Sequence, residues 1–135
     1  MARQTQGGAS RGPLAGLRCL VLDDDFLIAL DIQEVLENAG ATSVTCVANV
    51  ADALTAMEKV PSFDLAVLDI AVGEDSNSNM KVPATLQARG TPFVFLTGMG
   101  GDDRRARQFP EAPVVDKPYQ ADELLAALRR ALRKR

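Results

Sequence analysis

Four short apolar runs in this chain each stop at a polar residue with chemistry to offer. Leu17-Arg18-Cys19-Leu20-Val21-Leu22 stops at Asp23-Asp24-Asp25, and Leu65-Ala66-Val67-Leu68 stops at Asp69. Phe93-Val94-Phe95-Leu96 stops at Thr97, and Val114-Val115 leads through Asp116 into Lys117-Pro118. Short runs of this kind read as strands of a parallel sheet, buried on both faces. Together with Val44-Thr45-Cys46-Val47 they predict strands over residues 17–23, 44–47, 64–69, 93–97 and 113–116.

Between them the hydrophobic period changes to that of a helix. Ile28, Ile32, Val35, Leu36 and Ala39 share one face of a predicted helix over 26–39, and Gly40 is placed to end it with a left-handed cap. Asn49 is an N-cap for a second helix, with Asp52 near its first turn and Pro61 ending it. Pro83 suits the first position of a short third helix closed by Gly90. The clearest helical period is over 121–133, where Ala121, Leu124, Leu125, Leu128, Ala131 and Leu132 align and the last turn is basic. Residues 98–112 are weaker: the glycines after Thr97, a thin apolar face over 102–109, and Pro110 predict a fourth helix that is short, frayed or absent. Ala71 to Val82 is a long polar loop beside the end of the third strand. Residues 1–16, rich in Gly, Gln, Ser and Arg, read as a disordered tail before one domain over 17–135. Five strands alternating with four or five helices predict a doubly wound α/β sandwich.

Composition narrows the function classes. At 135 residues and 47% hydrophobic content, the chain is one domain with a real core. A net charge of -3 argues against a nucleic-acid-binding surface. There is no histidine, which excludes His-based zinc sites, Ser-His-Asp triads and a histidine phosphocarrier. Cys19 and Cys46 both fall in strand-like runs and read as small buried hydrophobes in a reducing compartment. No apolar stretch approaches the ~20 residues of a membrane span, so a soluble cytoplasmic protein is expected.

In an open parallel sheet, ligands gather beyond the carboxyl ends of the strands. Those ends supply Asp23, Asp24, Asp69, Thr97 and Lys117. Magnesium takes oxygen ligands and keeps several waters, so Asp23 or Asp24 with Asp69, and a backbone carbonyl just past Asp69, form a candidate site for it. Thr97 can donate to a phosphoryl oxygen, and Lys117 can pair with another as a point charge. Singly, an Asp after a strand is usually a turn or cap residue, and Asp25 reads as a helix cap. The four strand ends together, in this order, favour phosphoryl chemistry.

With these residues in place, the chain resembles a response-regulator receiver domain of two-component signalling, over roughly residues 17–133. The resemblance rests on Leu-Val-Leu-Asp-Asp-Asp, Phe-Asp-Leu-Ala-Val-Leu-Asp-Ile, Phe-Leu-Thr-Gly and Asp-Lys-Pro-Tyr. It implies a flavodoxin-like (βα)5 fold with strand order 2-1-3-4-5. It implies that Asp69 is the phosphoacceptor and that Asp23, Asp24, Asp69 and the carbonyl of Ala71 hold Mg2+, with Asp24 a more direct ligand than Asp23. Thr97 and Lys117 would be the switch hydroxyl and the phosphate-binding lysine. Thr91 to Met99 is also similar to the Pro-Phe-x-Phe-Ala-Thr-Gly-Tyr signature of a single-domain subgroup, departing from it at Leu96 and Met99. Val114 stands where many receivers carry a rotating aromatic.

The function so implied is a stand-alone receiver that is not an enzyme. It would take a phosphoryl group from a sensor histidine kinase or a histidine phosphotransfer protein. It would signal through contact with a downstream protein or by phosphate shuttling, with neither nucleic acid nor membrane as partner. The alternative is a small phosphatase of the haloacid-dehalogenase type with Asp23 as nucleophile and Asp25 two residues on. Against it, Gly101-Asp102-Asp103 precedes Lys117 where the late acidic motif should follow, and the chain lacks room for a cap domain. A phosphorylation-independent pseudo-receiver is disfavoured because all five functional side chains are present.

Overall fold

The computed structural model describes residues 12–60, 62–72, 80–98 and 104–133. In chain order the elements are β1 (Arg18–Leu22), α1 (Phe26–Asn38), β2 (Ser43–Val47), α2 (Val50–Lys59), β3 (Leu65–Asp69), α3 (Lys81–Ala88), β4 (Phe93–Thr97), α4 (Arg104–Arg107), β5 (Val114–Asp116) and α5 (Ala121–Arg133). The strands form one five-stranded sheet in the order β2-β1-β3-β4-β5, and every neighbouring pair is parallel. This is the doubly wound flavodoxin-like topology expected from the sequence. The chain moves outward from β1 to β2 and then returns to place β3 on the other side of β1. The topological switch point therefore lies between β1 and β3.

Alternation along each strand builds two cores. Cys19 and Val21 of β1, Leu65 and Val67 of β3, and Val94 and Leu96 of β4 face α1 and α5, where Ile32, Leu36, Leu124 and Leu128 are buried. Leu20, Leu22, Ala66, Leu68, Phe93 and Phe95 point the other way, against Met57, Leu86 and Phe109 from the α2, α3 and α4 side. Every residue of β3 and β4 is buried, as the continuous apolar runs require of central strands.

Caps set the helix boundaries. Asp25 Oδ1 accepts from the N–H groups of Leu27 and Ile28 at 3.0 and 3.1 Å, closing the start of α1. Gly40 follows the end of α1 with φ at +106°, a conformation that side chains with a Cβ rarely adopt. Asn49 Oδ1 accepts from Asp52 N–H at 2.8 Å and caps α2. Pro83 is the third residue of α3 rather than the first. The first turn has no intrahelical use for its missing N–H, so the proline is tolerated there.

Three further expectations are corrected. Residues 12–16, placed in the tail, pack on the domain: Leu14 is fully buried in the α1–α5 core, and its N–H donates to Ala39 O at 3.0 Å. Gly12 permits this approach, because a Cβ there would lie 2.3 Å from the carbonyl oxygen of Ala39. Residues 1–11 lie outside the described residues. Cys46, read as buried, is exposed, because β2 is the edge strand. The fourth helix is as short as expected, but its segment buries more than a thin apolar face implied. Ala106 and Phe109 are buried, and the Phe109 ring lies edge-on to Phe93 with centroids 5.8 Å apart. One aromatic side chain supplies the burial that the periodicity failed to reveal. Residues 73–79 of the polar loop and 99–103 before α4 lie outside the described residues.

Candidate functional site

The switch point gathers the side chains that the strand ends promised. Asp23 follows β1 directly, Asp69 closes β3, and the two strands are hydrogen-bonded neighbours. Asp23, Asp24 and Asp69 each present a carboxylate oxygen within 4.8 Å of the others. Asp23 and Asp69 are buried and Asp24 is exposed, so the cluster opens to solvent on the Asp24 side.

Lys117 reaches across from the end of β5. Its Nζ lies 3.1 Å from Asp69 Oδ2 and 3.3 Å from Asp23 Oδ2. The bond from Lys117 to Pro118 is cis. The other oxygens are held by backbone: Asp23 Oδ1 accepts from Asp25 N–H at 2.8 Å, and Asp69 Oδ1 accepts from Ala71 N–H at 3.0 Å. Thr97 is buried at the end of β4, one residue beyond Leu96, which pairs with Asp69 in the sheet. Its carbonyl accepts from the N–H of Lys117 at 2.8 Å. Each named residue thus sits at or directly beside the acidic cluster. Asp25 serves as the cap of α1 and also orients Asp23.

The electrostatics are those of two buried carboxylates sharing one cation. Burial pushes the Asp23 carboxyl above its usual range. The Asp25 N–H opposes that rise, Asp69 adds to it, and Lys117 opposes it. Burial works against the Lys117 ammonium, but the hydrogen bond and charge of Asp69, then those of Asp23, outweigh it and hold its pKa above the usual lysine value. A raised Asp23 pKa favours folding below the ordinary aspartate value, and that advantage is lost as the pH rises through the folded value. Ionisation of Asp23 is therefore a step that the fold disfavours. Asp23→Asn is expected to raise the thermal midpoint of the metal-free protein at pH 7 by roughly 2–5 °C, the scale of about 1 kcal/mol in a domain of this size. The increment should shrink below pH 4; calorimetry at the two pH values checks it, and a lowered midpoint at pH 7 would contradict the electrostatic account.

Sequence reasoning missed two features next to this site. Phe26, Leu27 and Leu30 on α1 are large hydrophobics left 75%, 72% and 50% exposed. The expected helix face named Ile28, Ile32, Val35 and Leu36, and nothing marked the other apolar residues as unpartnered. Tyr119 donates its hydroxyl to Asp31 Oδ2 at 3.0 Å, joining the turn after β5 to α1. Its place after Lys-Pro was visible, but its partner lies 88 residues away.

The chain is similar in fold and sequence to several known proteins. The solution structure of SdrG from Sphingomonas melonis Fr1 superposes with a TM-score of 0.73 at 36% identity, covering 87% of this chain and 97% of that one. SdrG in its BeF3-activated conformation, from Pseudomonas melonis Fr1, gives a TM-score of 0.69 at 38% identity, over 87% and 98%. A response regulator receiver protein from Sinorhizobium medicae WSM419 shares the fold, with a TM-score of 0.76 at 22% identity over 87% and 95%. Among curated proteins, the cell cycle response regulator CtrA of Brucella ovis is 26% identical over 120 residues, 87% of this chain and 51% of that protein. The uncharacterized transcriptional regulatory protein YbdJ of Bacillus subtilis is 28% identical over 121 residues, 88% and 52%. The chain spans about half the length of these curated relatives. No family model matches it.

Proposed function

The chain belongs to the response-regulator receiver family, and from that premise we propose that it accepts a phosphoryl group on Asp69. The donor is a phosphohistidine of a sensor kinase or a phosphotransfer protein. An oxygen of Asp69 forms the new P–O bond as the P–N bond of the donor breaks, and the electron pair of that bond stays with the donor nitrogen. The observation that carries this reading is the Lys117 ammonium, 3.1 Å from Asp69 and 3.3 Å from Asp23, beside an acidic trio at the switch point. Lys117 stands ready to pair with the phosphoryl charge and to hold it against the end of β5. The buried Thr97 is the hydroxyl that takes a further phosphoryl oxygen.

The three carboxylates suit a hard cation: all donors are oxygen, and one side is open for the waters that magnesium retains. Asp23, Asp24 and Asp69 would hold Mg2+, with the Ala71 carbonyl as a further donor. Bound there, the cation offsets the repulsion between Asp69 and an incoming phosphoryl group. The exposed Phe26, Leu27 and Leu30 beside Asp24 and Asp25 provide an apolar face on which a phosphodonor protein can seat. The near full-length match to SdrG supports the reading in which the receiver itself delivers the output, by protein contact or phosphate shuttling. Among the described residues no helix is long and apolar enough to cross a membrane. A cytoplasmic setting without nucleic-acid contact is part of this proposal.

The comparisons favour this reading over a phosphatase that uses Asp23 as nucleophile. The experiment that separates them uses acetyl phosphate with magnesium, followed by mapping of the modified residue. Label is expected on Asp69 alone, and chelation of the metal should lower uptake roughly tenfold or more. Label on Asp23, or full uptake in chelator, would overturn the assignment.

A further inference from the structure

Tyr119 stands two residues beyond Lys117, in the turn between β5 and α5. Its ring packs against the core shared by α1 and α5. Its hydroxyl donates to Asp31 Oδ2 of α1 at 3.0 Å. Burial, then the hydrogen bond and charge of Asp31, hold its phenol above the usual tyrosine value. The phosphoryl chemistry above uses neither residue.

The turn carrying Lys117 is fastened on both sides. On one side the N–H of Lys117 donates to Thr97 O at 2.8 Å, tying it to β4. On the other, Tyr119 ties it to α1 through Asp31. Lysine is a long and flexible side chain, so where its ammonium rests depends on how firmly its backbone is held. Helix α1 is itself locked to the site, because its cap Asp25 donates its backbone N–H to Asp23. The Asp31–Tyr119 bond therefore joins Lys117 to the same frame that orients Asp23.

Building on the phosphoacceptor reading, we propose that Tyr119 is a positioning residue. Its bond to Asp31 holds the β5–α5 turn so that the Lys117 ammonium rests between Asp69 and Asp23. The hydroxyl, not the ring, performs this role; the ring serves packing.

Tyr119→Phe keeps the ring and removes the bond. At saturating acetyl phosphate and magnesium, it is expected to lower the phosphorylation rate of Asp69 roughly tenfold, the low end of the scale of one hydrogen bond to a charged acceptor. Asp31→Ala should give the same loss, and the double variant no more than either alone. Asp31→Asn, which keeps an acceptor oxygen, should restore most of the rate. Magnesium affinity should stay within about twofold of wild type, since no carboxylate of the trio is touched. The side-chain ammonium resonance of Lys117 reports position without any phosphoryl chemistry, and it should exchange with water faster in Tyr119→Phe. Unchanged rate and exchange, additive losses in the double variant, or a magnesium affinity that falls in step with the rate would each overturn the proposal. A wild-type chain that takes no phosphate would instead overturn the phosphoacceptor reading. The Lys117 resonance then decides by itself whether Tyr119 positions the lysine.

Discussion

Asp69→Asn is expected to take up no measurable phosphate from acetyl phosphate, a loss on the order of 10³-fold or more, as when the nucleophile of a concerted group is removed. The substitution is nearly isosteric and leaves Lys117 its bond to Asp23 at 3.3 Å. It also removes one of two neighbouring buried negative charges. The fold should therefore persist, with a thermal midpoint no lower than wild type in the absence of metal. Uptake and thermal unfolding measured on the same preparation separate lost chemistry from lost structure. Residual labelling of the variant at the wild-type rate would show that the acceptor lies elsewhere, and the site assignment would fall.

The second large effect concerns the core. Phe95→Ala is expected to cost about 3–5 kcal/mol, the usual range for emptying a buried phenylalanine site. Phe95 is 1% exposed in the interior strand β4, with Phe93 edge-on at 5.4 Å and Phe109 at 6.0 Å. β4 is paired on both sides, so the cavity has little room to collapse. A domain of this size has a total stability of only about 5–15 kcal/mol, so much of it would be lost. Urea unfolding followed by circular dichroism measures the change, and a cost below about 1 kcal/mol would mean that the aromatic cluster does not organise this core. Phe109→Ala is a useful contrast. Phe109 holds the short α4 from the periphery, so hydrogen exchange should rise over residues 104–109 while β1 and β3 keep their protection.

Much of this molecule was legible along the chain. The apolar runs gave the five strands to within a residue or two at each end, because strands buried on both faces leave no other pattern. Asp25, Gly40 and Asn49 marked helix boundaries, because capping is local chemistry between residues two to four apart. The acidic triplet, Asp69, Thr97 and Lys117 were legible as candidates because each ends a strand, and strand ends in a parallel sheet converge by topology rather than by side-chain detail.

Other features depended on residues far apart in sequence. Leu14 joined the core only because Gly12 lets the chain pass close to Ala39. Cys46 became exposed because the strand order put β2 at an edge. Phe109 found its burial against Phe93 and Phe95, across a stretch with no helical period of its own. The meeting of Lys117 with Asp23 spans 94 residues, and that of Tyr119 with Asp31 spans 88. The sequence alone determined which elements form and which chemical groups stand at their ends, since propensity, period and capping act over a few residues. Only the tertiary structure decided which of those groups touch, which apolar residues stay uncovered, and how charge is shared between two buried carboxylates and one lysine. Packing and desolvation depend on neighbours in space, and no local pattern encodes them.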